Sequence, residues 1–514
     1  MRFRSVTTFT LAGLALPAAA QIKSTNLPIV RLSLDEAVVQ ALQNNFSIAI
    51  QRQARQAVGW DLYASYAVYD PKFQMTYTHS SQVREGQFNS FGFQSPASET
   101  KTDSIANSLA GYAPSGLNYQ LGFSFNHQTG TAAGGPFDQY GSNLGFTSLA
   151  QPLLRDFWID DNRRRIKIAK LQRNISDLDF ETQVRGTIRD VQKAYYDLIA
   201  ADEGIKVALS AHDLAAQLAR DIRRKVEVGE MAPLESKQAE SKAQTELAAY
   251  YQAQHTRNAA ENLIKNLVTQ KYRSQYEFKL EPAEKLLALE RRPVDLQESW
   301  KNGLAKRPDY RAQFFAVEKE RVNSQFARNQ LFPHLDLTGS YNRSGLDTTV
   351  YDVNHNVVSP SDLDGAFHDI RRNTQPSYSI GAVLSTPLTL RAERANRRKS
   401  KVTHEQSILT LQQLEQQILV DIDNTISLIR SSYLRVQATR AAREFAEEAL
   451  NAEQKKLEKG VSTPSEVLKR QDDLTRARSD EFNSLLDYNK ALTDLDLNDG
   501  TILERNNVQL EGVK

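Results

Sequence analysis

Cysteine is absent from the chain's 514 residues. That excludes disulfides and thiolate chemistry, and it excludes the lipid anchor that a bacterial lipoprotein carries on a cysteine just after its signal peptide. Past the N-terminus there is no run of about 18 apolar residues, so no membrane-crossing helix is expected. No G-x-x-x-x-G-K-[ST] phosphate loop occurs, and the eight histidines form no H-E-x-x-H pattern. The reading is of a chain that is not an enzyme, with no catalytic residue, no cofactor and no metal site. Any energy it uses must come from a partner. Charge of one sign is also missing, since the formal net charge is only +2.

At the N-terminus stand Arg2 and Arg4, a mostly apolar run from Val6 to Leu16, and Ala18-Ala19-Ala20 before Gln21. These are the three parts of a secretory signal peptide over residues 1–20. Cleavage would remove Arg2 and Arg4 and take the formal charge from +2 to zero. A neutral mature chain lacks the basic face of nucleic-acid binding. An exported chain with no helical anchor is periplasmic, secreted or an outer-membrane β-barrel.

The chain repeats itself. Leu32-Ser-Leu34-Asp-Glu36-Ala37 resembles Val294-Asp-Leu296-Gln-Glu298-Ser299, and at the same offset Leu42 falls on Leu304 and Pro71 on Pro333. Further on, Gln151-Pro152-Leu153 matches Thr386-Pro387-Leu388. Lys225-Val-Glu-Val-Gly229-Glu-Met-Ala-Pro233-Leu-Glu235 matches Lys456-Leu-Glu-Lys-Gly460-Val-Ser-Thr-Pro464-Ser-Glu466. Four landmarks in one order, twice, indicate a duplication.

Each copy mixes two kinds of segment. Between Arg391 and Lys459 there is neither proline nor glycine, and helix formers dominate. At 1.5 Å per residue this is a rod of roughly 100 Å. Leu411, Leu414, Ile418, Ile422, Ile426 and Ile429 step by three or four, as a buried helical seam requires. Residues from Arg163 to Val228 form the equivalent rod. Between the rods, Leu117, Tyr119, Leu121, Phe123 and Phe125 alternate with polar residues and glycine. So do Phe73, Met75 and Tyr77, and Leu335, Leu337 and Tyr341; Tyr378, Ile380, Ala382 and Leu384 alternate with Ser379, Gly381, Val383 and Ser385. Strict alternation means strands with one apolar and one polar face, suited to lipid on one side and water on the other; a soluble antiparallel sheet has the same pattern. Pro71, Pro152, Pro333 and Pro387 mark the strand–helix junctions.

The expected organisation is a first repeat over 21–292, with helix 32–69, strand region 71–152 and helical hairpin 160–275. The second repeat covers 293–514, with helix 294–332, strand region 333–387, helical hairpin 391–498 and a C-terminal tail. Four strands are expected at least. The long segment Ser80–Ser142 holds a further strand, with a partner near Ile105–Tyr112 across the Pro114-Ser115-Gly116 turn. It is read as an external hairpin in preference to extra wall strands.

The duplication, the junction prolines and the paired motifs at Gly229 and Gly460 resemble the TolC family of outer-membrane efflux proteins over nearly the whole mature chain. The resemblance implies a mainly helical, internally duplicated helix–strand–strand–helix chain. Three copies would close a twelve-stranded transmembrane β-barrel in outer-membrane lipid and continue it as an α-helical, coiled-coil tunnel into the periplasm. It implies a homotrimeric, passive exit duct for small molecules, docked to a periplasmic adaptor and an inner-membrane pump. Elementary physics agrees on oligomerisation, because so few strands cannot close a barrel and lipid leaves an open sheet edge unsatisfied. Two rivals have a discriminating feature. A periplasmic coiled-coil adaptor is expected to carry one hairpin where this chain has two, and a secreted enzyme or lectin on a stalk needs a compact block that no segment offers.

In such a duct the sites are a gate and docking surfaces. Gly229 and Gly460 suit helix C′ positions, and Pro233 and Pro464 suit the first turn of the next helix, so each tip is a sharp helical hairpin. By the resemblance these tips narrow the tunnel and receive the adaptor. Glu235 and Glu466 stand where family members carry acids near the gate, and six such carboxylates in a trimer would favour cations. Against this, Thr463-Pro464-Ser465-Glu466 is also a capping box in which the acid serves its own helix. The family pattern departs at Lys469 and Gln238, where a second acid is usual, and at Ser462, where a gating arginine is usual. Lys225, Lys456 and Lys459 are near enough to offer counter-charges. Asp347, Asp352, Asp362, Asp364, His355, His368 and Asp369 cluster between two strands and are read as a solvated external loop, no spacing favouring a metal.

Overall fold

A computed structural model describes residues 28–509 apart from 87, 89–91, 93–95, 133–134, 276–277 and 287–291; the candidate signal peptide lies outside the described residues. The first half runs β1 (Ile29–Leu32), α1 (Leu34–Asn44), α2 (Phe46–Ser65), a 3-10 turn (Tyr66–Tyr69), β2 (Lys72–Arg84), β3 (Ser98–Tyr112), β4 (Asn118–Ala132), β5 (Gly135–Pro152), α3 (Asp161–Glu227), α4 (Pro233–Val268), α5 (Tyr272–Gln275) and β6 (Lys279–Pro282). The second runs α6 (Leu296–Lys306), α7 (Pro308–Asn329), β7 (His334–Thr348), β8 (Val350–Tyr351), β9 (Val357–Ser359), α8 (Leu363–Arg372), β10 (Gln375–Ser385), α9 (Arg391–Glu458), α10 (Pro464–Asn498) and α11 (Ile502–Arg505). Among the described residues no helix is long and apolar enough to cross a membrane.

The halves start alike for the same local reasons. Ser33 caps α1 with a complete capping box, its hydroxyl accepting from the Glu36 amide and the Glu36 carboxylate accepting from the Ser33 amide. At the equivalent position Asp295 caps α6 by accepting from the Gln297 amide at 2.9 Å. Where one helix is expected over 32–69 and another over 294–332, each is broken. Asn45 and Arg307 are both extended, with ψ of 131° and 123°. Pro308 disfavours helical geometry at Arg307 and pushes it to the extended region. Asn45 carries no proline after it; its side chain donates instead to the Leu267 carbonyl at 2.9 Å.

The chain divides into two compact units. One comprises Met1–Asn45, Val191–Leu287 and Thr439–Leu486. In it β1 pairs in parallel with β6, and the buried Tyr195 hydroxyl donates to the Leu32 carbonyl at 3.0 Å. The other comprises Phe46–Asp190, Ala288–Ala438 and Asp487–Lys514. It holds the expected seam of α9, with Ile418, Ile422, Ile426 and Ile429 all buried, and it holds the large sheet.

That sheet has six antiparallel strands in the order β10-β7-β5-β4-β3-β2. The reading of Ser80–Ser142 as an external hairpin is corrected here. β3 and β4 are not a separate hairpin; they pair along their lengths between β2 and β5 within the sheet. Their Pro114-Ser115-Gly116 turn lies at the helix end of the sheet. There the Arg163 side chain at the start of α3 donates to the Pro114 carbonyl at 3.0 Å, and Gln151 donates to the Ser115 carbonyl at 3.2 Å.

Registers show why the pattern misled. Directly paired residues share a face of an antiparallel sheet. Phe73, Leu109, Leu121, Phe146, Tyr341 and Tyr378 form one row across all six strands. The row on the opposite face is Gln74, Ser108, Gly122, Gly145, Asn342 and Ser377. The first face is apolar and aromatic, the second small and polar. The amphipathic α8 lies on the apolar side over β5 and β7, with Ala366 and Ile370 buried and Phe367 stacked on Phe123 at 5.7 Å between centroids. Ser142 donates to the Ala366 carbonyl at 2.8 Å. Gly345 faces that same carbonyl so closely that a Cβ there would collide with it.

Candidate gate and docking site

Both helical tips fall in the first unit, α3 turning into α4 and α9 into α10. They are built alike. Gly229 has φ of +83° and Gly460 +74°, a left-handed conformation that glycine reaches without a Cβ penalty. The Gly229 amide donates to the Val226 carbonyl at 3.0 Å and the Glu230 amide to Lys225 at 2.8 Å. In the other tip the Gly460 amide donates to Leu457 at 3.1 Å and the Val461 amide to Lys456 at 3.0 Å. Each is a full Schellman closure of the first helix. Pro233 and Pro464 then open the next helix at its first position, where an amide hydrogen has no helical partner anyway.

A shared apolar cluster holds the two tips together. Leu218 and Ile222 of α3, Ala239 of α4, Leu450 of α9, and Val467 and Leu474 of α10 are buried against one another. Lys242 of α4 bridges to Asp472 of α10 at 2.5 Å and to Glu246 at 2.6 Å. Burial pulls its pKa down, but the two carboxylates outweigh that and hold it above the ordinary lysine value. Beside the cluster lies a groove lined by Leu218, Asp221, Met231, Leu457, Glu458 and Val467.

The candidate acids have distinct surroundings. Thr463 accepts from the Glu466 amide at 3.4 Å, the hydroxyl half of a capping box. The Glu466 carboxylate is engaged with Arg470, one turn on, at 3.1 Å. Arg470 also reaches Asp473 at 3.3 Å. Glu235 is half-buried in the first turn of α4 and makes no ion pair among the described residues. Lys469 is exposed. Lys456 pairs with Glu453, at 3.0 Å, instead of with Glu466.

Glu453 is the residue that sequence reasoning missed. Ser462 donates its hydroxyl to the Glu453 carboxylate across the tip turn. That hydrogen bond, followed by the one from Lys456, holds the Glu453 pKa below 4.5. No helical spacing links residues nine apart; only the reversal of the chain at Gly460 brings them together.

The acids between β7 and β10 serve local structure. Asp352 accepts from the Asn354 and Asn356 amides at 2.8 and 2.7 Å, closing the β8–β9 turn. Asp362 caps α8 through the Gly365 amide at 2.6 Å, and Asp347 accepts from the Asp362 amide at 2.8 Å. Among the described residues no group of three or more potential ligands is gathered for a metal.

Comparison with known proteins gives one consistent answer. The sequence profile of the outer membrane efflux protein family matches residues 104–269 and 301–501. No curated protein sequence matches. Among solved structures, the CmeC outer membrane channel of Campylobacter jejuni is similar with a TM-score of 0.64 at 16% identity, over 91% of this chain and 85% of that one. The outer membrane protein VceC of Vibrio cholerae gives 0.64 at 14%, over 91% and 96%. A membrane protein of Pseudomonas aeruginosa gives 0.67 at 16%, over 96% of each chain.

Proposed function

The chain belongs to the outer membrane efflux protein family, and from that membership we propose that three copies form one passive exit duct, gated and docked at the two helical tips. The protein is an outer-membrane channel subunit of an efflux system, reaching into the periplasm. The observation that supports closure by several copies is the sheet, whose apolar face suits lipid but whose two edges, β2 and β10, one chain cannot satisfy there.

Gly229 to Pro233 and Gly460 to Pro464 are the segments that receive a periplasmic adaptor. What supports them is their rigidity: two Schellman turns of the same geometry, joined by one buried cluster. Glu235, Glu466, Ser462 and Lys469 line the constriction, with Ser462 holding Glu453 in place of an arginine pair. Transport energy comes from an inner-membrane pump, and the duct itself performs no chemistry. The two repeats, 21–292 and 293–514, are descended from one duplicated unit, a reading supported by the equivalent caps at Ser33 and Asp295 and rods of 67 and 68 residues.

Protein extracted from outer membranes in detergent should have the mass of a trimer by light scattering; a water-soluble monomer would sink the duct reading. In planar bilayers, Glu235→Gln with Glu466→Gln should reduce preference for cations over anions. Unchanged selectivity and gating would remove both acids from the gate.

A further inference from the structure

The sheet of this protein has more strands than its family resemblance implies. Six strands of one chain lie side by side, all antiparallel. The inserted β3 and β4 carry the same two faces as the others, in register. On the polar face the row of Thr76, Ala106, Ser124, Asn143, Ser344 and Gln375 continues without a break through both of them. On the apolar face Leu109 and Leu121 stand between Phe73 and Phe146. A water-exposed hairpin gains nothing from such matching, whereas a lipid-facing wall requires it at every strand. The β3–β4 turn is tied down at the helix end by Arg163 and Gln151, so the insertion traverses the full height of the sheet.

The edges say what completes the wall. β2 and β10 are exposed at every position, on both faces. They are 13 and 11 residues long, enough to cross an outer membrane. Because the number of strands between them is even, β2 and β10 run in opposite directions. Rotation about an axis along the wall therefore brings β2 of one copy beside β10 of the next in antiparallel pairing, which an odd number would forbid. Their faces also agree: Phe73, Met75 and Tyr77 on one edge continue Tyr378, Ile380 and Leu384 on the other.

We propose that three copies close an eighteen-stranded barrel through β2 and β10, in place of the twelve strands of a four-stranded protomer. This rests on the trimeric duct reading and goes beyond it. Barrel diameter grows roughly linearly with strand number, so at equal tilt the mouth is about 1.5 times wider and about twice as large in section. Its lumen is lined by uncharged, small side chains such as Ser108, Gly122, Ser124 and Gly145. Such a mouth passes bulkier solutes and does not sort them by charge, which leaves selection to the tips.

The test is direct imaging by electron cryo-microscopy of the full mature protein extracted from outer membranes. Eighteen strands per ring are expected. A ring of twelve, with residues 98–132 outside it, would overturn the proposal and leave the duct intact; a protein that forms no ring would overturn both. The cysteine-free chain permits a second, independent reading. Nitroxide-labelled Leu109→Cys and Ser108→Cys on β3, in native membranes, should divide. The first should be relaxed by lipid-soluble oxygen and the second by a water-soluble nickel chelate. Water access at both positions would place β3 outside the wall and refute the inference.

Discussion

Glu261 is the residue whose loss is predicted to cost most in the first unit. It lies on α4 with Arg257 and Lys265 one turn to either side, and all three side chains are at most 8% exposed. Its carboxylate accepts from Arg257, from Lys265 at 2.8 Å and from the Leu280 amide of β6 at 3.0 Å. Arg257 in turn donates to the Leu280 carbonyl and Lys265 to the Phe278 carbonyl. The network thus clamps β6, and through β6 the parallel strand β1, onto α4. Glu261→Gln keeps the shape and an acceptor for the Leu280 amide but removes the negative charge. Among the described residues Arg257 then keeps one carboxylate, Asp202 at 2.9 Å, and Lys265 keeps none. Breaking a buried ion pair in this way costs about 3 kcal/mol or more. At about 1.4 kcal/mol per factor of ten, amide exchange across Lys279–Pro282 should accelerate by about a hundredfold. Exchange measured by mass spectrometry on the intact protein checks this. Glu444→Gln, which removes an exposed partner of Arg443, should change exchange less than fivefold, since exposed pairs contribute under about 1 kcal/mol. If the Glu261 variant accelerated exchange less than tenfold, the clamp would not be what holds β6.

Three further outcomes follow from the geometry. Because the folded Glu453 has a pKa lowered by Ser462 and Lys456, its stabilising contribution is present above pH 4.5 and lost as pH falls through the folded value. Limited proteolysis of the tip should therefore quicken on acidification, and less steeply in Ser462→Ala; identical pH profiles would refute the assignment. Gly460→Ala meets no neighbouring atom, so its cost is the left-handed backbone alone, about 1 kcal/mol, read as faster exchange confined to the tip. Gly303→Ala is different in kind, since its Cβ would lie 2.7 Å from the fully buried Ile422 side chain and 3.2 Å from the Asn498 carbonyl. A loss of about 1–3 kcal/mol should appear in thermal unfolding of the second unit.

Much of the site could be read from residue order. The tips were legible because Gly229, Gly460, Pro233 and Pro464 act through their own backbone dihedrals and need no distant partner. The seam of α9 was legible because helical periodicity states which face must be buried. The helix break at Asn45 was not, since asparagine is tolerated in a helix and only its bond to Leu267 favours the extended conformation. Half of the expected capping box at Thr463 is present, but the acid's partner, Arg470, is a choice made in three dimensions among several cations at similar spacing. Glu453 had no local signal at all.

The chain's order of residues alone determined its duplication, its rods and tips, and strands with one apolar and one polar face. Tertiary structure alone decided how many strands stand in the sheet and which of them form its edges. The physical reason is that alternation records only that a strand has two environments. A wall strand and an external hairpin carry the same alternation, and they are separated by the backbone hydrogen bonds and registers that tie β3 and β4 to β2 and β5 across the sheet.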